Sequence, residues 1–198
     1  MSVMLDLIGS VVIAGFVIMI GLRLNQTVAG SADASMANLN VQESMVDIVR
    51  SIEYDFRKIG YGVPETQYAI IDTGATRIGF LSDIDDNGVI DTVRWWTGPP
   101  ITGLPNDSIR VLLRQVNGGT PVGAALGVTA FRMRFLNQDG GPPASMGAIY
   151  IIETTLQVES PYRVQDQVIT DQSYEDMGYA TAFWRQTRLA SRNIKRHG

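Results

Sequence analysis

The residues best suited to chemistry in this chain lie in the stretch DIDDNGVID, residues 83–91. Asp83, Asp85, Asn87 and Asp91 take its first, third, fifth and ninth places, with Gly88 sixth and Val89 seventh. Alternate side chains of a tight loop turn toward one centre, the carbonyl of Val89 can join them, and glycine permits the sharp bend that convergence requires. A set of hard oxygens of this kind suits calcium, so the expected ligands are Asp83, Asp85, Asn87, Val89 and Asp91 and the expected cofactor is a structural calcium ion. A β-hairpin turning on Asn87-Gly88 would need no metal. It would, however, hold four carboxylates within nine residues with nothing to offset their repulsion.

The twelfth position of an EF-hand-type loop carries a bidentate acid, and here it is Arg94. The expected affinity is therefore modest, in the extracellular range of roughly 10⁻⁴ to 10⁻³ M. Asp86 occupies a non-ligand place and is expected to face solvent. Little other chemistry is available. With no cysteine, thiol catalysis, zinc-thiolate sites and disulfides are excluded, and the single histidine, His197, cannot build a triad or a multi-histidine centre. No enzyme activity is expected. The net charge of −4 argues against a general nucleic-acid surface. Trp95 and Trp96 are adjacent, so on a strand they face opposite ways, one toward the core and one outward.

The acidic stretch sits between two runs of period-two character, TRIGFLSD and VIDTVRWW, which predict a hairpin. SIRVLLRQV, VTAFRMRFLN and AIYIIETTLQVES read as further strands, rich in β-branched and aromatic residues. In the second of these, Phe131, Met133 and Phe135 alternate with Arg132 and Arg134, giving one core face and one solvated face. TGPPITGLPND, NGGTP and NQDGGPPAS read as the connecting loops. The tail ATAFWRQTRLASRNIKR places Phe183, Thr187, Ala190 and Ile194 on one helical face, but is expected to be a strand through Arg192.

Before this head lies a different pattern. Between Val3 and Leu22 the only charge is Asp6, and at about 1.5 Å per residue that stretch matches the roughly 30 Å of a bilayer core. Apolar residues then recur mostly at three- and four-residue spacing through Leu24, Val28, Ala32, Met36, Leu39, Met45, Ile48, Ile52, Phe56 and Ile59. One helix from about residue 3 to 59 is predicted, ended by Gly60 and Pro64. The fold class is α+β: a long N-terminal helix over residues 1–62 packed on an antiparallel sheet head over residues 63–198. Gly9, Gly15, Gly21 and Gly30 suit close helix packing, or local unwinding near TVAGSADAS. A carboxylate in hydrocarbon is costly unless paired, so Asp6 asks for a partner outside its own helix.

This organisation resembles the type IV pilins and the pseudopilins of type II secretion, in which an acid stands fifth in the mature apolar N-terminus. Counted from Ser2, Asp6 is fifth. The resemblance implies that Asp6 pairs with the amine of residue Ser2 of a neighbouring subunit once the initiator methionine is gone. The stretch IEYDFRKIGYG, with Asp55, Arg57, Gly60 and Tyr61, is similar to the helix ending of minor pilins related to pseudopilin J. The Gly-Phe leader-peptidase site of the family is absent from the sequence, and the acid is Asp instead of Glu. The resemblance implies a homo-oligomeric filament assembled through N-terminal helices, with other pilins as further partners. It also implies an inner-membrane pool before assembly and an extracellular, surface location after it. The expected function is a structural subunit of such a filament; the alternatives are a minor subunit that initiates or tips the assembly, and a single-pass membrane protein with a calcium-binding head.

Overall fold

The computed structural model describes residues 2–165 and 177–189. One helix, α1 (Ser2–Arg57), runs for 56 residues without a break, a length of about 84 Å. No proline occurs before Pro64, and the weak helix formers around Gly30 do not unwind it. There the hydroxyls of Thr27, Ser31 and Ser35 donate to the carbonyls of Arg23, Val28 and Ser31, so these side chains are satisfied within the helix. The helix stops at a double turn in which Gly60 and Gly62 hold φ of 78° and 73°, values that favour glycine. Gly62 also passes so close to the next segment that a Cβ would lie 3.1 Å from Cβ of Asp83.

Among the described residues seven strands follow in one antiparallel meander, neighbours in space in the order of the chain. They are β1 (Ile70–Gly74), β2 (Arg77–Ser82), β3 (Asp91–Pro100), β4 (Arg110–Val116), β5 (Val122–Leu136), β6 (Ile151–Gln165) and β7 (Met177–Leu189). The α+β architecture expected from the sequence is the one observed. Several details differ, β6 among them, which starts at Ile151 and runs on to Gln165 past the expected Ser160. β1 was not among the expected strands, because IIDTG is short and only its first residue, Ile70, is buried. β3 continues past Trp96 into Thr97–Pro100, read as loop; a bulge between Thr97 and Pro100 lets the chain rejoin Arg110 of β4 despite the prolines. β5 begins at Val122, before the expected Val128, and bends at Gly127, φ 88°. The tail is strand as far as Leu189; Arg192 and His197 lie outside the described residues.

The second half of α1 covers one face of the sheet. Its buried line runs through Ala34, Val41, Met45, Ile48, Ile52 and Phe56, against Phe80, Val93, Trp95, Leu112, Phe131, Ile152 and Leu156. Phe56 meets Phe80 edge to face, ring centroids 6.0 Å apart. Phe131 and Met133 are in this core and Arg132 and Arg134 are outside it, as their alternation predicts. The helical face drawn from the sequence needs a correction above Met45: Leu24, Val28, Met36 and Leu39 are exposed, and the head covers Ala34, Ala37 and Val41 instead. At 100° per residue the exposed line Val28, Ala32, Met36, Leu39, Val46 lies roughly opposite the buried one. An amphipathic reading assumes one apolar face, and this segment has two.

Candidate metal centre and its attachment to the helix

The register of the β2–β3 hairpin pairs Ser82 with Asp91, so the two strand ends bring Asp83 and Asp91 together at the base of the loop. The loop then closes by way of Asp86 (φ 60°) and Gly88 (φ 83°). One carboxylate oxygen from each of Asp83, Asp85 and Asp91 lies within 4.8 Å of the others. Asp83 and Asp91 are 6% and 4% exposed, whereas Asp85 is open to solvent. Among the described residues no basic side chain pairs with any of the three.

Their hydrogen bonds come almost entirely from neutral donors. Asp83 accepts from the N–H groups of Asn87 (2.9 Å) and Gly88 (2.8 Å). Asp85 accepts from the N–H of Asn87 at 3.3 Å and from its Nδ2 at 2.9 Å. Asp91 accepts from the N–H of Ile84 at 3.1 Å and from Nδ2 of Asn117 at 2.6 Å. An ionised carboxylate has about four acceptor positions, so each acid keeps capacity free while the backbone fixes its direction. Three acids held this close, two of them buried, form a cluster that could hold a metal ion. Asn87 and Val89 are exposed; Oδ1 of Asn87 accepts the N–H of Val89 at 2.7 Å, shaping the turn. Arg94 projects from β3 away from the core and takes no part in the cluster.

The loop is bolted to the end of α1. The Lys58 ammonium donates to the carbonyl of Ile84 (2.8 Å) and pairs with Asp86 (3.0 Å), and the Tyr54 hydroxyl donates to the same carbonyl at 3.3 Å. Ser82 Oγ donates to the carbonyl of Lys58 at 2.7 Å, and the N–H of Asp83 to that of Tyr61 at 2.8 Å. Desolvation pulls the Lys58 ammonium down, and Asp86 and Tyr54 outweigh it, so it stands above its ordinary value. Asp86 is solvent-facing, with 60% of its side chain exposed, but it is also ion-paired, which its non-ligand place did not suggest.

The helix ending contains a second buried polar group. Asp55, 2% exposed, accepts from Nε (2.6 Å) and Nη2 (3.0 Å) of Arg114 and from the indole N–H of Trp95 (2.7 Å). The Asp55 hydrogen bond raises the Arg114 guanidinium above its ordinary value, against the opposing effect of burial. Trp95 is fully buried and Trp96 half-buried, the division expected of adjacent strand residues. Asp55 stands out in the sequence only as part of a motif, whereas its partners lie 40 and 59 residues away and no local spacing betrays them.

Asp6 and Ser2 are in the first turns of α1, far from this site. Asp6 is exposed, and among the described residues no basic group pairs with it. Fold and site together define an α+β protein whose N-terminal helix is long and apolar enough to cross a membrane and whose head carries a three-aspartate cluster beside the helix end. No family model matches the chain, nor does any curated protein or solved structure.

Proposed function

We propose that the chain is a structural subunit of a type IV pilus-like extracellular filament, held in the membrane by α1 before assembly and packed through α1 afterwards. The observation that carries this reading is the exposure of the helix. From Val3 to Val28 large apolar side chains stand out on every side, Val3 79%, Phe16 61% and Val28 65% among them. An anchor alone accounts for the first twenty or so residues. It does not account for Met36, Leu39 and Val46, exposed beside the head on the side turned away from it. A neighbouring helix would cover both. Gly9, Gly15 and Gly21 have open space where a Cβ would stand, so among the described residues nothing requires them, while small residues let helix backbones approach closely. At the foot of the head a cleft of about 810 Å³, bounded by Met36, Val41, Leu104 and Tyr162 among others, adds concave apolar surface.

In this reading Asp6 pairs with the N-terminal amine, at Ser2, of a neighbour. A buried ion pair adds little stability but fixes register, because any other stagger leaves both charges unpaired. The aspartate cluster holds calcium and ties the β2–β3 hairpin to the helix end, with no catalytic part. The test is the sheared-filament fraction of cells carrying the wild-type chain or Asp6→Ala. The wild type is expected there in quantity and the variant in the membrane fraction. Equal amounts of both in filaments would remove the pairing role, and absence of the wild type would favour a single-pass membrane protein with a metal-binding head.

A further inference from the structure

The outer face of the sheet, opposite α1, carries a pocket that the assembly reading does not use. Strand register sets Arg132 of β5 beside Thr155 of β6, and Thr155 beside Arg185 of β7; one step along, Arg134 stands beside Glu153. With strands about 4.8 Å apart, the backbones of Arg132 and Arg185 are about 10 Å apart on one face, Thr155 between them. These side chains, with Ala75 and Thr76 of the β1–β2 turn, line a cavity of about 400 Å³, within the size range of small-ligand sites. Arg134 pairs with Glu153 at 3.3 Å. Arg132 and Arg185 are exposed and, among the described residues, have no ion pair or hydrogen bond.

Like charges gathered on neighbouring strands repel, and a chain of net charge −4 offers acids that could have been placed among them. Among the described residues that line the pocket, Glu153 is the one acid. Three guanidinium groups against one carboxylate leave an excess of two positive charges. The guanidinium fork matches the oxygen spacing of phosphate and sulfate, and the Thr155 hydroxyl supplies a further donor on the floor. A carboxylate ligand would leave one of the two charges uncompensated. We propose that Arg132, Arg134 and Arg185, with Thr155, bind a doubly charged tetrahedral oxyanion, a phosphate or sulfate group that is free or carried on a small sugar.

The test is calorimetry on the full chain in neutral detergent, in calcium-free buffer at pH 8, where phosphate is mostly dianionic. The probes are inorganic phosphate, inorganic sulfate and glucose 6-phosphate. Binding of any probe is expected, and Arg132→Gln/Arg185→Gln, both at exposed positions, should weaken it about tenfold or more. Glu153→Gln removes the competing anion and should tighten it several-fold, an effect that a damaged fold would not produce. Tighter binding of glucose 6-phosphate than of inorganic phosphate assigns the source as an ester; equal affinity assigns the free ion. No heat with any probe, or binding unchanged in the double variant, overturns the proposal. The filament assay is independent of either result.

Discussion

Replacing Asp55 by alanine leaves the Arg114 guanidinium, 31% exposed, without its partner and the buried Trp95 indole N–H without an acceptor. Breaking a buried ion pair from one side costs about 3–5 kcal/mol, and an orphaned donor about 1–3 kcal/mol. The two losses share one carboxylate and do not add. Arg114 can also reach water, so the expected loss for Asp55→Ala is about 3 kcal/mol, the low end of the range. The reverse change is worse. Arg114→Met strands a carboxylate that is 2% exposed with only the Trp95 N–H for company, and should cost about 4 kcal/mol. Asp55→Asn keeps an acceptor for Trp95 and should fall between wild type and Asp55→Ala. Arg57→Ala, two residues along, removes an exposed i,i+4 pair with Glu53 and should cost at most about 0.5 kcal/mol. Urea unfolding of the full chain in detergent, followed by tryptophan fluorescence, measures all four, since Trp95 reports on the site itself. A loss below about 1 kcal/mol for either Asp55→Ala or Arg114→Met, or single losses that sum in the double variant, would refute the buried-pair argument.

Calcium at a hundredfold excess over its dissociation constant should stabilise the head by about 2.7 kcal/mol and raise Tm by about 10 °C, read by calorimetry with and without chelator. Asp83→Ala and Asp91→Ala should abolish the shift; an unchanged Tm in chelator would reduce the loop to an ordinary turn. Lys58 has a raised folded-state pKa, so its contribution is fully present below its unfolded value of about 10.4 and is lost as pH rises through the folded one. The stability gap between wild type and Lys58→Met should accordingly be flat from pH 7 to about 10 and narrow above that, as measured by urea midpoints. A chain lacking residues 1–24 should be soluble and monomeric in sedimentation, because most of the large apolar side chains exposed on the helix lie in that segment. Filaments from the truncated chain would contradict the assembly role of α1.

The long helix, the strand alternation and the acidic loop are legible in the sequence because each is a local pattern. An apolar run and its spacing give a helix whatever surrounds it, and Phe131, Met133 and Phe135 need only their neighbours to show which side is core. Asp83, Asp85 and Asp91 converge for the same reason, since a hairpin turn is set by the residues inside it. What the sequence hides is longer in range. Nothing near Asp55 announces Trp95 and Arg114, and nothing near Asp86 announces Lys58, so the clamps joining the helix end to β3, β4 and the acidic loop had to be seen in three dimensions. The helical face was misplaced between Leu24 and Leu39 for a related reason. Small Ala34 and Ala37 give weak hydrophobic signals but let the sheet approach, whereas the larger Met36 and Leu39 point elsewhere.

The central claim is that the exposed faces of α1 meet copies of themselves, and a chain without cysteine allows this to be tested cleanly. Val11 and Met36 are 66% and 64% exposed and stand about 37 Å apart along the helix, too far for a disulfide within one chain. Val11→Cys/Met36→Cys, oxidised in intact membranes and run without reductant, should give a ladder of covalent oligomers that collapses on reduction and shortens with Asp6→Ala. Monomer alone under the same oxidation would contradict the account.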